Sequence, residues 1–153
     1  MTLLGYTDGI NFQDGASYLE LAEFIIRKGA KINEDLEELY KRIVFSICVS
    51  NTDDHLRNHG FLLTSNGWIL SPAYDINPNP KGAGLKLNIS IHDNSLDLNL
   101  ATEVSHFFRL TNTKAESIIQ NTIKDVFNWP QIALKYKISR SEQDRMSGAF
   151  RCR

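Results

Sequence analysis

Two short apolar runs, Phe61-Leu62-Leu63 and Trp68-Ile69-Leu70, flank the four residues Thr64-Ser65-Asn66-Gly67. Asn-Gly supplies the positive backbone angles that a tight reversal demands, so this segment is predicted to fold as a β-hairpin. The hairpin constrains everything around it, because it sets the residues before Phe61 beside those after Leu70. Both flanks are polar. The upstream one, Asn51-Thr52-Asp53-Asp54-His55-Leu56-Arg57-Asn58-His59-Gly60, carries two carboxylates, two imidazoles and the Asn58 amide. Such a collection is costly to set against apolar strands without a purpose.

Helices are expected on both sides. Ser17 and Glu20 have capping-box spacing, and Tyr18, Leu19, Ala22, Ile25 and Ile26 recur on one face, with Gly29 as a stop. A second helix is predicted from about Asn33 as its N-cap, with Glu34 and Asp35 at the positive end of the dipole. Its apolar stripe is Leu36, Leu39, Tyr40, Ile43, Val44 and Ile47, and Ser50-Asn51-Thr52-Asp53-Asp54 ends it. Beyond the hairpin, Ser71 to Gly84 reads as a proline-rich loop. Leu85, Leu87, Ile89 and Ile91 alternate with polar residues as a strand or extended arm. The rest is read as helices: about Leu100 to Leu110, then one starting at Thr113 with Glu116 in box spacing and Ile118, Ile119, Ile123, Val126 and Phe127 inward. Trp129-Pro130 should break that helix. Ser139 or Ser141 should cap a last one with Met146 and Phe150 inward. The expected architecture is one mainly α domain over residues 1–153, a helical bundle with a small β-hairpin bearing the functional loops.

A chain of 153 residues with 42% hydrophobic and 23% charged content can bury a sizeable core. A net charge of -1 predicts no general attraction to nucleic acid or anionic membrane. No stretch approaches the roughly 20 apolar residues of a membrane helix, and the N-terminus lacks the features of a secretion signal. Cys48 falls in an apolar helical pattern and Cys152 at the far end, so a disulfide framework is not expected and a cytoplasmic setting fits.

The chemistry lies in the two flanks. Asp53 and Asn58 have the Asp-x-x-x-x-Asn spacing of a protein-kinase catalytic loop, in which the acid takes or orients the proton of the attacking hydroxyl and the amide holds magnesium. Asp75 directly follows the second hairpin strand, with an aromatic residue before it, where a kinase keeps its main metal-binding aspartate. Amide and carboxylate oxygens are the hard donors magnesium prefers. The hairpin lets Asn58 and Asp75 approach one ion.

The segments NTDDHLRNHGFL and W-x-LSPAYDINP resemble the C-terminal part of HipA-like serine/threonine kinases, the toxins of type II toxin–antitoxin pairs. The likeness runs from the Tyr18–Ile26 helix to the Met146–Phe150 end. It implies a kinase C-lobe of HipA type with ATP and magnesium as cofactors, Asp53 as catalytic base, and Asn58 and Asp75 as metal ligands. His55 would orient the loop. The family's Asp-x-His pattern after Asn-Thr assigns the catalytic role to Asp53 rather than Asp54. It further implies phosphorylation of serine on a protein, with aminoacyl-tRNA synthetases among known kinds of target, and a DNA-binding antitoxin as partner.

A phosphate-covering loop and a strand lysine are also needed. Gly82-Ala83-Gly84-Leu85-Lys86 is only a turn by its spacing and comes after Asp75, so the nucleotide-gripping N-terminal kinase lobe is expected to be absent and the chain alone silent. Two other functions compete. Asp53, Asp54, His55 and His59 could serve a zinc or manganese hydrolase, although their spacing lacks the helical His-Glu-x-x-His arrangement. Alternatively, the lobe is a non-catalytic module that docks a partner. Elsewhere, Arg57 and Asp54 are expected to pair at the surface, His59 to be structural or exposed, and His92 and His106 to be ordinary surface or helix residues. Tyr74 is expected to pack so as to fix the angle of Asp75.

Overall fold

The computed structural model describes residues 2–151. Cys152 lies outside the described residues. In order, the chain forms α1 (Tyr18–Lys28), α2 (Ile32–Cys48), β1 (Phe61–Thr64), β2 (Gly67–Leu70), α3 (Leu98–Val104), α4 (Asn112–Phe127), α5 (Trp129–Lys135) and α6 (Arg140–Met146), with 3-10 turns before β1 and after α3 and a long irregular segment between β2 and α3. The architecture is mainly helical with one small antiparallel hairpin. None of the helices among the described residues is long and apolar enough to cross a membrane.

α1 begins as expected. The Glu20 carboxylate accepts from the Ser17 N–H at 3.1 Å, and Gly29 closes the helix with its N–H on Ile25 O. α2 starts earlier than expected, at Ile32 after Lys31, so Asn33 lies inside the helix rather than capping it. The expected stripe from Leu36 to Ile47 is buried throughout. It forms the centre of a core that α1, α3 and α4 close. Cys48 is buried there too.

The hairpin pairs Phe61 with Leu70 and Thr64 with Gly67, leaving Ser65 and Asn66 at its tip. The positive angle falls on Gly67 alone, at φ 128°, not on Asn66. Gly67 also lies against the end of α1, where a Cβ would stand 2.7 Å from Lys28 O. Ala30 donates to Trp68 O at 2.7 Å, and Phe24 stacks edge-on against Phe61. The hairpin is therefore moored to α1 by its turn.

The alternating arm is an extended segment rather than a paired strand. Leu85, Leu87 and Ile89 are buried and Asn88 bridges to Ser17, but Ile91 is exposed because the chain turns at Asp93, whose carbonyl takes the N–H of Ile89. The helix expected over Leu100–Leu110 divides into α3 and a 3-10 turn that ends at Arg109 in left-handed geometry, φ 56°. That reversal moves the next cap: Thr111, not Thr113, accepts the Lys114 N–H. Along α4, Ile118, Ile119 and Val126 are buried, while Phe127 is exposed at the end of the helix. Pro130 sits in the first turn of α5, where a missing N–H costs nothing. Ser139 is the cap of α6, and half-buried Phe150 stacks on Trp129 at 4.4 Å.

Candidate functional site

Residues 50–60 contribute little apolar surface, so polar contacts hold the loop. Ser50 adopts φ 52° and is fully buried. Its carbonyl accepts from Thr52 and Asn79, and its hydroxyl donates to Ala149 O at 2.8 Å. Asn51, also buried, accepts from the Asn77 N–H at 3.2 Å. Asn79 donates to the Thr52 hydroxyl at 2.8 Å, and Gly82 lies so close to Thr52 that any Cβ would collide with it. The loop before the hairpin is thus stitched to the loop after it.

The two adjacent aspartates face opposite ways. Asp54 is buried, and Tyr18 donates its hydroxyl to Oδ2 at 2.6 Å. Ser46 lies at 3.4 Å from the same oxygen, and His59 Nε2 at 3.1 Å from Oδ1. Burial pushes the Asp54 carboxyl up, but His59, the Tyr18 hydroxyl and His55 outweigh it and hold it below the ordinary carboxylate range. The Tyr18 phenol is driven well above its usual value by burial and by that carboxylate. Asp53 is exposed and carries no hydrogen bond or ion pair among the described residues.

The expected Arg57–Asp54 surface pair does not form, because Asp54 turns inward. Arg57 pairs instead with Asp8 and approaches His55 Nε2 at 2.8 Å. His55 is half-buried and begins the 3-10 turn Leu56–Asn58, its carbonyl accepting the Asn58 N–H at 2.8 Å. That turn brings Asn58 inward. Asn58 Nδ2 donates to Asp75 Oδ2 at 3.1 Å and to Asp75 O at 3.2 Å, while its Oδ1 is buried without a protein partner. Asp75 is exposed and sits at φ 56°, a left-handed position that aspartate tolerates better than most residues. Its Oδ1 accepts from Asn77 at 2.8 Å. Tyr74 ties the loops through its hydroxyl, which donates to Arg57 O at 2.5 Å, rather than by packing.

Of the residues singled out from sequence, Asn58 and Asp75 meet directly, Asp53 stands on the same loop with a free carboxylate, and His55 supports the turn between them. The four proposed hydrolase ligands do not converge. Asp54 and His59 are committed to each other in the interior, Asp53 points to solvent, and no group of three or more His, Cys, Asp or Glu side chains among the described residues could hold a metal. His92 and His106 are exposed.

Sequence reasoning missed Tyr18 as a ligand of Asp54 and two polar residues of α2. Asp35 is buried and its Oδ2 accepts the Leu70 N–H at 3.0 Å; burial raises its carboxyl above the ordinary value, and the Leu70 bond offsets part of that. Arg42, also buried, donates to Ser71 O at 2.6 Å and to Glu38 at 3.0 Å. The available signal was position: both break into the edge of an apolar stripe. Their partners are backbone groups far along the chain, which no local pattern records.

Comparison with curated protein sequences returns no match. The family model described as the HipA-like C-terminal domain matches residues 1–129, from before α1 through the hairpin and both loops to the end of α4, and the chain belongs to that family.

Proposed function

We propose that this chain is the catalytic part of a HipA-type protein serine/threonine kinase, acting on a serine of a protein substrate. The observation that carries this reading is the meeting of Asn58 and Asp75, with an unencumbered Asp53 on the same loop as Asn58. The donor set fits magnesium: a carboxylate, and an amide whose Oδ1 lacks a protein partner and can replace Nδ2 toward Asp75 by rotation about its own bond. Asn58 and Asp75 would hold the ion, which when bound supplies positive charge to the phosphates of ATP. Asp53 takes the proton of the acceptor hydroxyl from its solvent-facing position. His55 acts as a positioning residue that sets the turn carrying Asn58. Among substrates, an aminoacyl-tRNA synthetase fits the family, as does a DNA-binding antitoxin as the silencing partner.

Residues 1–153 include no glycine-rich phosphate loop before Asp53. The Gly82–Gly84 turn is taken up by Thr52 and Asn94. Without a nucleotide grip the chain alone should not turn over, since phosphoryl transfer rests on positioning. Two measurements test this. Titration with Mg2+ followed by NMR should move the Asn58 side-chain amide and the Asp75 backbone resonance, and Asp75→Asn should abolish the response; an unresponsive wild-type chain sinks the reading. Incubation with ATP and Mg2+ should give no serine phosphorylation. Activity that Asp53→Asn abolishes would overturn the silence while upholding the chemistry.

A second reading, a non-catalytic module that docks a partner, draws on Leu62 and Leu63, both more than half exposed on β1. Concentration-dependent self-association lost in Leu63→Lys would favour it.

A further inference from the structure

Asp35 and Arg42 stand about two helical turns apart on α2, and therefore on the same face. Their partners are consecutive in the chain: Asp35 takes the N–H of Leu70 at 3.0 Å, and Arg42 donates to the carbonyl of Ser71 at 2.6 Å. These residues end β2 and begin the segment that leads to Asp75. The side chain of Arg42 is held in turn by Glu38, one turn back, so its guanidinium is bonded at Nε as well as at the Nη that meets Ser71. Arg42 and Asn58 both line a void of about 10 Å3 together with Asp54, His59 and Ala73, and Arg42 Nη1 and Asn58 Oδ1 are each buried without a protein partner.

We infer that Asp35 and Arg42 form a two-point main-chain clamp that sets the register of the Asp75 loop on α2, and that Arg42 is thereby a positioning residue for the Asn58–Asp75 pair. The inference rests on the proposed metal-binding role of that pair only for its functional consequence; the clamp itself stands on the two main-chain bonds. Tyr74 and Asn77 tie this segment to the upstream loop, but Pro72, Ala73 and Tyr74 are all exposed, so apolar packing leaves it freedom to shift along α2. A guanidinium and a carboxylate spaced along one rigid helix remove that freedom, since each bond is directional. Lysine could supply the charge of Arg42 but not two donors in a fixed fork.

The test uses Arg42→Gln, Arg42→Lys and Asp35→Ala, with Ile119→Val as a control that weakens the core away from the loops. Two readouts are taken from each folded protein: the Mg2+ dissociation constant, and the side-chain amide shift of Asn58 without metal. The clamp predicts that Arg42→Gln weakens Mg2+ about tenfold, the low end of what loss of outer-layer support for metal ligands commonly costs. It also predicts that the Asn58 amide moves toward its free position, with Arg42→Lys and Asp35→Ala intermediate and Ile119→Val unchanged. Should Arg42→Gln unfold the chain, Arg42→Lys and Asp35→Ala carry the test. If Mg2+ binds the wild type and neither readout changes in any clamp variant, or Ile119→Val shifts both equally, the clamp is wrong and the kinase reading stands. If no variant and not even the wild type binds Mg2+, yet the Asn58 amide responds to Arg42, the clamp stands and the kinase reading falls.

Discussion

Asp53 and Asp54 are neighbours with the same side chain, and truncating them should have opposite consequences. Asp54→Ala removes the acceptor of the Tyr18 hydroxyl and the partner of His59, both buried. The Tyr18 hydroxyl, on a fully buried ring, would be left without a partner, which costs about 1–3 kcal/mol. Losing the oxygen that faces His59 Nε2 leaves a second buried polar group without a partner, for about 1–3 kcal/mol more. Collapse of the loop onto the vacated space recovers little, because its neighbours are polar. We therefore expect Asp54→Ala to lose about 3–5 kcal/mol, or roughly 10 °C in Tm for a chain of this size. Asp53→Ala, on an exposed carboxylate without contacts, should stay within about 0.5 kcal/mol of wild type.

Urea unfolding followed by far-UV circular dichroism measures both, with the fluorescence of Trp68 on the hairpin and Trp129 on α5 as a second probe. Coincidence of the two transitions justifies a two-state free energy. Two outcomes refute the reasoning: Asp54→Ala costing less than about 1 kcal/mol, or Asp53→Ala costing as much as its neighbour. Either would mean that the loop is held by something other than the Tyr18–Asp54–His59 contacts. The pair of variants also separates stability from chemistry, because Asp53→Ala should be a well-folded protein that lacks the carboxylate proposed as proton acceptor.

Further outcomes can be stated for sites away from the loops. Glu37 bonds Lys41 at 2.8 Å and Lys114 at 3.1 Å, linking α2 to α4, and those two ammonium groups hold its carboxyl below the ordinary 4.5. A depressed carboxyl stabilises the fold above its unfolded value and loses that contribution as pH falls through the folded one. Glu37→Gln should thus cost up to about 1 kcal/mol at pH 7, less in high salt, and nothing by pH 2, as urea midpoints at each pH will show. Gly67→Ala should lower Tm through about 1–3 kcal/mol of strain, since the new Cβ meets Lys28 O at a φ of 128°; an unchanged Tm would show that the α1–hairpin mooring is loose.

Much of this arrangement could be read from local chemistry. Asn66-Gly67 marked the reversal, and the hairpin lets Asn58 and Asp75 approach one another. The stripe from Leu36 to Ile47 marked α2 because burial follows the helical period. Cap positions were less secure: Thr111 and Thr113 both have suitable side chains, and the choice was made by Arg109, whose left-handed turn ends the preceding segment. The Asp35 and Arg42 contacts could not be read at all. A charged residue at the margin of an amphipathic helix ordinarily signals solvent, and only the fold shows that backbone groups of residues 70 and 71 arrive there. Asp53 and Asp54 pose the same problem at closer range, because nothing local says which of two adjacent carboxylates turns inward.

The concentration of buried polar residues between positions 50 and 59 has a physical reason. A loop that must present Asp53 to solvent and Asn58 to Asp75 cannot be fixed by burying its own apolar side chains. In that stretch only Leu56 is both apolar and buried, whereas Ser50, Asn51, Asp54, Asn58 and His59 are buried and polar. Directional bonds must therefore do what packing does in the helices. Packing tolerates small volume changes with graded loss, but a hydrogen-bonded loop loses a defined geometry when a single acceptor is removed. The same feature that makes the loop costly to assemble also makes the Asn58–Asp75 approach sharp, and so ties the stability of this segment to the chemistry proposed for it.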